Sequence, residues 1–173
     1  MAGWFNREYG LGVEESWVCP TYGVVTALYF TILALTEPGD RVMIHTPIYD
    51  PFYAIIRNTG REIVDCGLVH EDGTYRIDYE RMEEQMKAGV RLLIFCNPHN
   101  PTGRVWRREE LLRVAGLCSR YDVYLASDEI HCDLALFGNP FTSMLAFDEI
   151  HSRLAVYTSP GKTFSMTGLI VSN

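Results

Sequence analysis

The chain has little lysine, and its cysteines form no recognisable frame. Of its 15 basic residues only Lys87 and Lys162 are lysines. The cysteines are odd in number and no two are separated by just two residues, which excludes a complete disulfide frame and a zinc knuckle. They are Cys19, Cys66, Cys96, Cys118 and Cys132. Because most of them stand in apolar runs, we expect buried thiols and a cytoplasmic location.

Excess positive charge and long apolar runs are also absent. The net charge of −7 would repel a nucleic-acid backbone or an anionic membrane, so neither is expected as a partner. The uncharged segment Ser16–Thr36 is interrupted by Pro20–Gly23, and its continuous apolar part, Val24–Leu35, is too short to span a bilayer. The first residues include Arg7 and Glu8, which is not typical of a secretory signal.

What is present is an alternation of apolar runs with helical patterns. Strands are predicted at Trp17–Cys19, Arg41–His45, Arg61–Cys66, Arg91–Cys96, Val123–Ala126 and Leu154–Thr158. Helices are predicted at Ala2–Leu11, Gly23–Thr36, Tyr49–Asn58, Asp78–Lys87 (capped by Asp78), Arg107–Arg120 and Thr142–Phe147, and a polar loop at His70–Thr74. Apolar strands alternating with helices predict an α/β fold, three-layer α/β/α with a mostly parallel sheet. Met1 opens within a helix and Gly168–Asn173 resembles the start of a strand, so we expect a fragment of a longer protein.

Residues that could carry chemistry follow the predicted strands. They are Gly23 at a helix start, Tyr49, Asn100 in the loop Asn97–Gly103, Asp128, and Ser159 with Lys162. In open α/β sheets a ligand binds outside the carboxyl ends of the strands, so we expect these residues to meet at one edge.

Two simpler interpretations of this edge are disfavoured. Gly161–Thr163 with Asp128 resembles a phosphate loop and its magnesium partner, but Val156 stands where the first glycine should be, and the acidic strand comes first. A metal site is not expected either, because the spacing of the nearby histidines and cysteines fits no standard ligand pattern. Those residues are Cys96, His99, His131 and Cys132.

A pyridoxal-phosphate site fits the edge better. This cofactor needs a lysine for its Schiff base, a carboxylate for its pyridinium nitrogen, and a donor for its phenolic oxygen. It also needs a flat side chain against the ring and free backbone N–H groups at a helix start for the phosphate. The strand ends supply all of these.

Four segments resemble a known family. They are Pro47–Phe52, Cys96–Trp106, Asp128–Asp133 and Ser159–Phe164. They resemble the fold-type-I pyridoxal-phosphate enzymes of the class I/II aminotransferase superfamily, and within it the bacterial C–S lyases of the cystathionine β-lyase (MalY/PatB) type. The resemblance runs over essentially the whole chain. It implies that residues 1–173 form a partial cofactor-binding large domain, with an amino-terminal segment and a carboxy-terminal small domain missing.

The resemblance implies a role for each edge residue. Lys162 would form the Schiff base and move the Cα proton, Asp128 would pair with the ring nitrogen, Asn100 would hold the phenolic oxygen and Tyr49 would stack on the ring. The amides of Gly23 and Val24 and the hydroxyl of Ser159 would hold the phosphate, and His131 would support the ring. Three alternatives stay open: packing for Tyr49, turn formation for Asn100, and a structural hydrogen bond for His131.

The implied activity is β-elimination from an amino acid with sulfur on Cβ, such as cystathionine, giving thiol, pyruvate and ammonia. Transamination is the alternative; His131, where ordinary aminotransferases commonly carry tyrosine, and the continuation Arg104–Trp106 favour the lyase. The partners implied are a small amino-acid substrate and, at full length, a second copy in a homodimer. Gly161 replaces a serine that many relatives carry before the lysine. The arginine that grips the substrate carboxylate lies outside this chain, so we expect the chain alone to show negligible turnover.

Overall fold

A computed structural model describes residues 1–173 and contains a five-stranded parallel sheet between two layers of helices. The helices are α1 (Ala2–Tyr9), α2 (Val24–Leu35), α3 (Pro51–Asn58), α4 (Tyr79–Lys87), α5 (Arg108–Arg120) and α6 (Pro160–Thr163). The strands are β1 (Arg41–Ile44), β2 (Glu62–Asp65), β3 (Val69–Glu71), β4 (Thr74–Arg76), β5 (Val90–Cys96), β6 (Tyr124–Asp128) and β7 (Leu154–Tyr157). None of the helices combines the length and the apolarity that crossing a bilayer would require.

The main sheet has the order β2-β1-β5-β6-β7, and every pair in it is parallel. Central strand β5 divides its side chains between two cores. Leu92 and Ile94 pack on the side of α2 and α3, whereas Leu93 and Phe95 pack on the side of α4 and α5. The near-continuous apolar run of this strand follows from burial on both faces. The predicted three-layer α/β/α class is confirmed.

Helix α4 begins as its sequence predicts. The Asp78 side chain accepts a hydrogen bond from the Arg81 backbone N–H (3.0 Å). This bond satisfies one of the N–H groups that lack a partner in the first turn of a helix.

Replacing Asp78 by alanine should therefore lower the free energy of unfolding by about 1 kcal/mol, measured by urea denaturation. Glu84→Ala on the same helix is the matched control, because Glu84 is exposed and lies beyond the first turn. Equal losses in the two variants would contradict the capping role.

The prediction of a first strand at Trp17–Cys19 is wrong. The structure has a single 3₁₀ turn at Glu15–Trp17, in which the N–H groups of Trp17 and Val18 donate to the carbonyls three residues back, those of Glu14 and Glu15. Trp17 is 54 % exposed, and no strand lies beside this segment to pair with it. An apolar triplet forms a strand only where a neighbouring strand supplies the hydrogen bonds. Helix α2 therefore follows an irregular segment.

The predicted polar loop at His70–Thr74 is a β-hairpin of β3 and β4. Its turn residues Asp72 and Gly73 both have positive φ (50° and 73°), as two-residue hairpin turns require. The predicted strand at Gly168–Asn173 is reduced to a 3₁₀ turn at Thr167–Leu169 and one antiparallel bridge between Ser172 and Thr21.

The predicted helix at Thr142–Phe147 is only a 3₁₀ turn at Met144–Ala146. The Ser143 side chain caps it by accepting from the Leu145 N–H (3.1 Å). The cysteines all carry free thiols, and every one except Cys19 is buried, as the sequence predicts.

Candidate active site at the carboxyl edge of the sheet

The carboxyl ends of three neighbouring strands lie level with one another. Cys96 of β5 is in register with Asp128 of β6, and Asp128 is in register with Tyr157 of β7. The ladder continues beyond the strands, because the Asn97 N–H bonds the Asp128 carbonyl (2.9 Å) and the Glu129 N–H bonds the Tyr157 carbonyl (2.8 Å). The loops that follow these strands therefore leave the sheet at one rigid edge.

Asp128 is a buried carboxyl group at this edge, 6 % exposed. Its Oδ1 accepts one hydrogen bond, from the Ile130 N–H (3.1 Å), and no other protein donor reaches the carboxyl. Burial raises the pKa of Asp128 to about 7, while the Ile130 hydrogen bond and the positive charge of Lys162 oppose the rise. A buried carboxylate with an unused oxygen is suited to a cationic partner.

Lys162 lies on α6, directly after β7. The Ser159 hydroxyl caps this helix by accepting from the Gly161 N–H (2.9 Å), and Pro160 occupies its first turn. The Lys162 side chain is exposed and forms no ion pair. Its charge nevertheless acts on the edge, since it lowers the pKa of both Asp128 and His131.

His131 is half-buried three residues after the end of β6, at the start of the 3₁₀ turn Cys132–Leu134. Burial and, after it, the charge of Lys162 lower the pKa of His131. The imidazole is therefore neutral at pH 7 and can both donate and accept a hydrogen bond.

Asn100 is held through its backbone. Its N–H donates to the Cys96 sulfur (3.3 Å), and the Cys96 thiol donates in turn to the Pro98 carbonyl (3.2 Å). The His99 ring joins the same loop to the residue after β1, with Nδ1 beside the Thr102 hydroxyl (3.0 Å) and Nε2 beside the His45 carbonyl (3.2 Å). The Asn100 side chain forms no hydrogen bond with the protein and is available to a ligand.

Tyr49 lies just before α3, in the segment that follows β1. The residue is 45 % exposed, and its ring meets Phe52 edge-on, with centroids 5.9 Å apart. Strand order reverses between β1 and β5, and such switch points are where open α/β sheets bind ligands. Tyr49 and Asn100 follow the two strands on either side of this switch point.

The first turn of α2 offers free backbone donors. Gly23 precedes the helix with φ of 83°, no side chain caps it, and the N–H groups of Gly23 and Val24 donate no hydrogen bond to the protein. Such a helix start favours an anion. The Ser159 hydroxyl, in contrast, donates to the Val171 carbonyl (2.6 Å). Its assignment to a phosphate stays a prediction, and would require that bond to break.

Sequence reasoning gave no role to two polar residues of this edge. The Tyr157 hydroxyl pairs with the Thr31 hydroxyl of α2 (2.6 Å), and burial raises the pKa of Tyr157 to about 12. Glu129 is fully buried and accepts from the Ser127 hydroxyl (2.9 Å) and the Met144 N–H (2.8 Å). The Ser127 bond is local, but the Thr31–Tyr157 and Met144–Glu129 bonds join residues 126 and 15 positions apart. These two long-range contacts could not be identified from the local sequence.

This parallel three-layer fold, with chemically active side chains gathered outside its strand ends, defines the class of α/β proteins that bind ligands at the carboxyl edge of the sheet. Within that class the chain belongs to the aminotransferase class I and II family, whose model matches residues 1–172.

Similar proteins include both lyases and transaminases. Cystathionine β-lyase PatB of Bacillus subtilis is 40 % identical over 99 % of this chain and 45 % of its own length. Human kynurenine–oxoglutarate transaminase 3 is 33 % identical over 86 % of this chain and 34 % of its own. The crystal structure of cystalysin from Treponema denticola, which contains pyridoxal 5′-phosphate, matches with a TM-score of 0.96 and 36 % identity, covering 99 % and 44 % of the two chains. The chain thus spans less than half the length of these relatives.

Proposed function

We propose that this chain binds pyridoxal 5′-phosphate and contributes the cofactor site of a carbon–sulfur β-lyase. The observation that carries the proposal is that a buried carboxyl group with an unused oxygen, Asp128, and an exposed, unpaired amine, Lys162, occur at the same sheet edge, where the charge of Lys162 lowers the pKa of Asp128. The cofactor found in cystalysin and the lyase activity named for PatB support it.

The residues present fit the cofactor. The free oxygen of Asp128 suits the protonated ring nitrogen, and the unbonded N–H groups of Gly23 and Val24 suit the phosphate. The Lys162 amine could condense with the aldehyde carbon, and the Asn100 amide could donate a hydrogen bond to the phenolic oxygen. The exposed Tyr49 ring could stack on one face of the cofactor. When bound, pyridoxal phosphate supplies an electron-accepting ring that stabilises negative charge on the Cα of an amino acid.

The chain's own residues would then move and hold protons. The Lys162 amine takes the proton from Cα of the substrate. The Asp128 carboxylate keeps the proton on the ring nitrogen, because a buried carboxylate pairs strongly with a cation. Neutral His131 hydrogen-bonds a polar group beside the ring. Overall, an amino acid with a Cβ–sulfur bond and one water give thiol, pyruvate and ammonia.

Transamination is the second candidate, since the human transaminase is 33 % identical over most of this chain. It would use the same Lys162 and Asp128. The difference is that the negative charge on Cα does not expel sulfur from Cβ. The lyase is preferred because the PatB relative is 40 % identical over a larger share of the chain.

A trapping experiment tests the cofactor site. The chain is mixed with pyridoxal phosphate, reduced with borohydride, digested and examined by mass spectrometry. We expect the phosphopyridoxyl group on the Lys162 peptide and not on the Lys87 peptide. Lys87 is the internal control, because it is exposed on α4 and paired with Glu83 (3.5 Å). Equal labelling of both lysines, or of neither, would overturn the proposal.

Further parts of the proposal concern the whole protein. We propose that residues 1–173 form the central part of the large domain, since the relatives are more than twice as long. A homodimer, a small amino-acid substrate and a cytoplasmic location belong to the same proposal. The chain alone is expected to release no measurable pyruvate from cystathionine.

A further inference from the structure

Asp133 joins three separate parts of the chain. Its Oδ1 accepts hydrogen bonds from the Trp4 indole N–H (3.1 Å) and the Tyr9 hydroxyl, both on α1. Its Oδ2 accepts from the Thr163 hydroxyl on α6 (2.6 Å). One carboxylate therefore connects the amino-terminal helix with the helix that carries Lys162.

Aromatic contacts strengthen the same junction. Trp4 meets Phe164, just beyond α6, edge-on with centroids 5.7 Å apart. Tyr9 meets Phe141 in the same way at 5.1 Å. The Trp4–Phe164 contact thus holds helix α1 against the lysine-bearing segment in addition to Asp133, while the Tyr9–Phe141 contact anchors α1 to a different segment.

Helix α6 depends on such contacts for its place. It has only four residues, and a single turn of helix is not stable by itself, because nucleation costs more than one turn returns. Its amino-terminal end is held by the Ser159 cap. At the other end, Thr163 is the residue directly after Lys162, so the Thr163–Asp133 bond fixes the side of the turn from which the amine projects.

The charge of Asp133 suits this arrangement. Burial favours the neutral acid, but the hydrogen bonds from Thr163, Tyr9 and Trp4 outweigh it and lower the pKa of Asp133. All three partners act as donors, so an ionised carboxylate satisfies them without conflict.

We propose that Asp133 is a positioning residue for Lys162: it clamps α1 to α6 and so holds the lysine at the carboxyl edge beside Asp128. This inference rests on the proposed function only in taking the Lys162 amine as the reacting group; the clamp itself is a property of the chain. Asp133 acts through Thr163 and touches neither the amine nor Asp128.

The test compares Thr163→Val with wild type by hydrogen exchange of residues 160–166 and by the rate of borohydride trapping at Lys162. Valine keeps the shape of threonine and leaves the bonds of Asp133 to α1 intact, so this variant is expected to fold. Loss of a hydrogen bond to a charged group should speed exchange of residues 160–166 on the order of tenfold. Trapping at Lys162 should be slower in this variant than in wild type under the same conditions.

Substitutions at Asp133 complete the test. Asp133→Ala should produce the Thr163→Val effects and also speed exchange in residues 2–9, whereas Asp133→Asn should restore much of the protection, since its amide can still accept from α1 and donate to Thr163. Asp148→Ala, at a carboxylate whose side chain is 99 % exposed, is the control and should change exchange in neither segment.

Unchanged exchange of residues 160–166 in Thr163→Val would overturn the clamp. Absence of trapping in wild type would instead overturn the cofactor site and leave the exchange result to decide the clamp.

Discussion

Replacing Lys162 by alanine is expected to abolish pyridoxal-phosphate trapping at this site and, at the same time, to raise the pKa of Asp128. The first effect follows because no other lysine lies near the edge; Lys87 is on α4. The second follows because the charge of Lys162 lowers the pKa of that buried carboxyl. In a protein long enough to turn over substrate, loss of the proton-transferring amine should lower kcat by about 100-fold or more.

A second variant separates the two effects. Lys162→Arg keeps the positive charge but has no amine to condense with an aldehyde, so trapping should vanish while the Asp128 pKa stays close to that of wild type. The pKa is measured by carboxyl-carbon NMR titration and trapping by mass spectrometry. Lys87→Ala is the control and should change neither quantity. Trapping that persists undiminished in Lys162→Ala would contradict the assignment.

Replacing Asp128 by asparagine is expected to stabilise the chain without cofactor at pH 8 and to have little effect near pH 4. Burial raises the pKa of Asp128 from 3.8 to about 7. The stability that the neutral carboxyl contributes is therefore present below pH 4 and is lost as pH rises through 7. At about 1.4 kcal/mol per pKa unit, the full loss is about 4 kcal/mol. Asparagine stays neutral, so its unfolding free energy lacks this decline.

Urea denaturation at pH 4.5 and pH 8 measures the difference between the two proteins. Glu129, whose pKa burial also raises to about 7, is present in both, so its contribution largely cancels. Asp148→Asn is the control. Added pyridoxal phosphate should stabilise wild type more than Asp128→Asn at pH 8, because only the carboxylate can pair with a cationic ring nitrogen. Parallel pH profiles for the two proteins would contradict the buried-acid interpretation.

The parts of the fold that sequence reasoning predicted are those set by local pattern. The apolar run of β5 requires burial on both faces, and Asp78 stands where a helix cap is needed. The strand prediction at Trp17–Cys19 failed because an apolar triplet does not show whether a neighbouring strand exists to pair with it. The hairpin at Asp72–Gly73 was missed although Asp-Gly is a strong turn signal, because its strands are short and largely exposed.

The candidate site likewise contains residues that local sequence predicts and residues that only tertiary contacts define. Asp128 and Lys162 could be placed at one edge because each directly follows a strand or its loop. The role of Asp133 could not, because its partners on α1 lie 124 and 129 residues away in sequence. The two bonds of the Ser159 hydroxyl differ in the same respect. Its helix-capping bond with the Gly161 N–H is local and could be predicted from the sequence. Its bond to the Val171 carbonyl depends on tertiary packing and could not.

The division of β5 between two cores has a consequence for how the protein can change over evolutionary time. Leu92 and Leu93 are neighbours in sequence but belong to packing groups on opposite faces of the sheet. A volume change at one is compensated by side chains on its own face, since successive side chains of a strand point to opposite faces of the sheet and these two pack in different clusters. Core residues in the layer of α2 and α3 can therefore be substituted over evolution independently of core residues in the layer of α4 and α5.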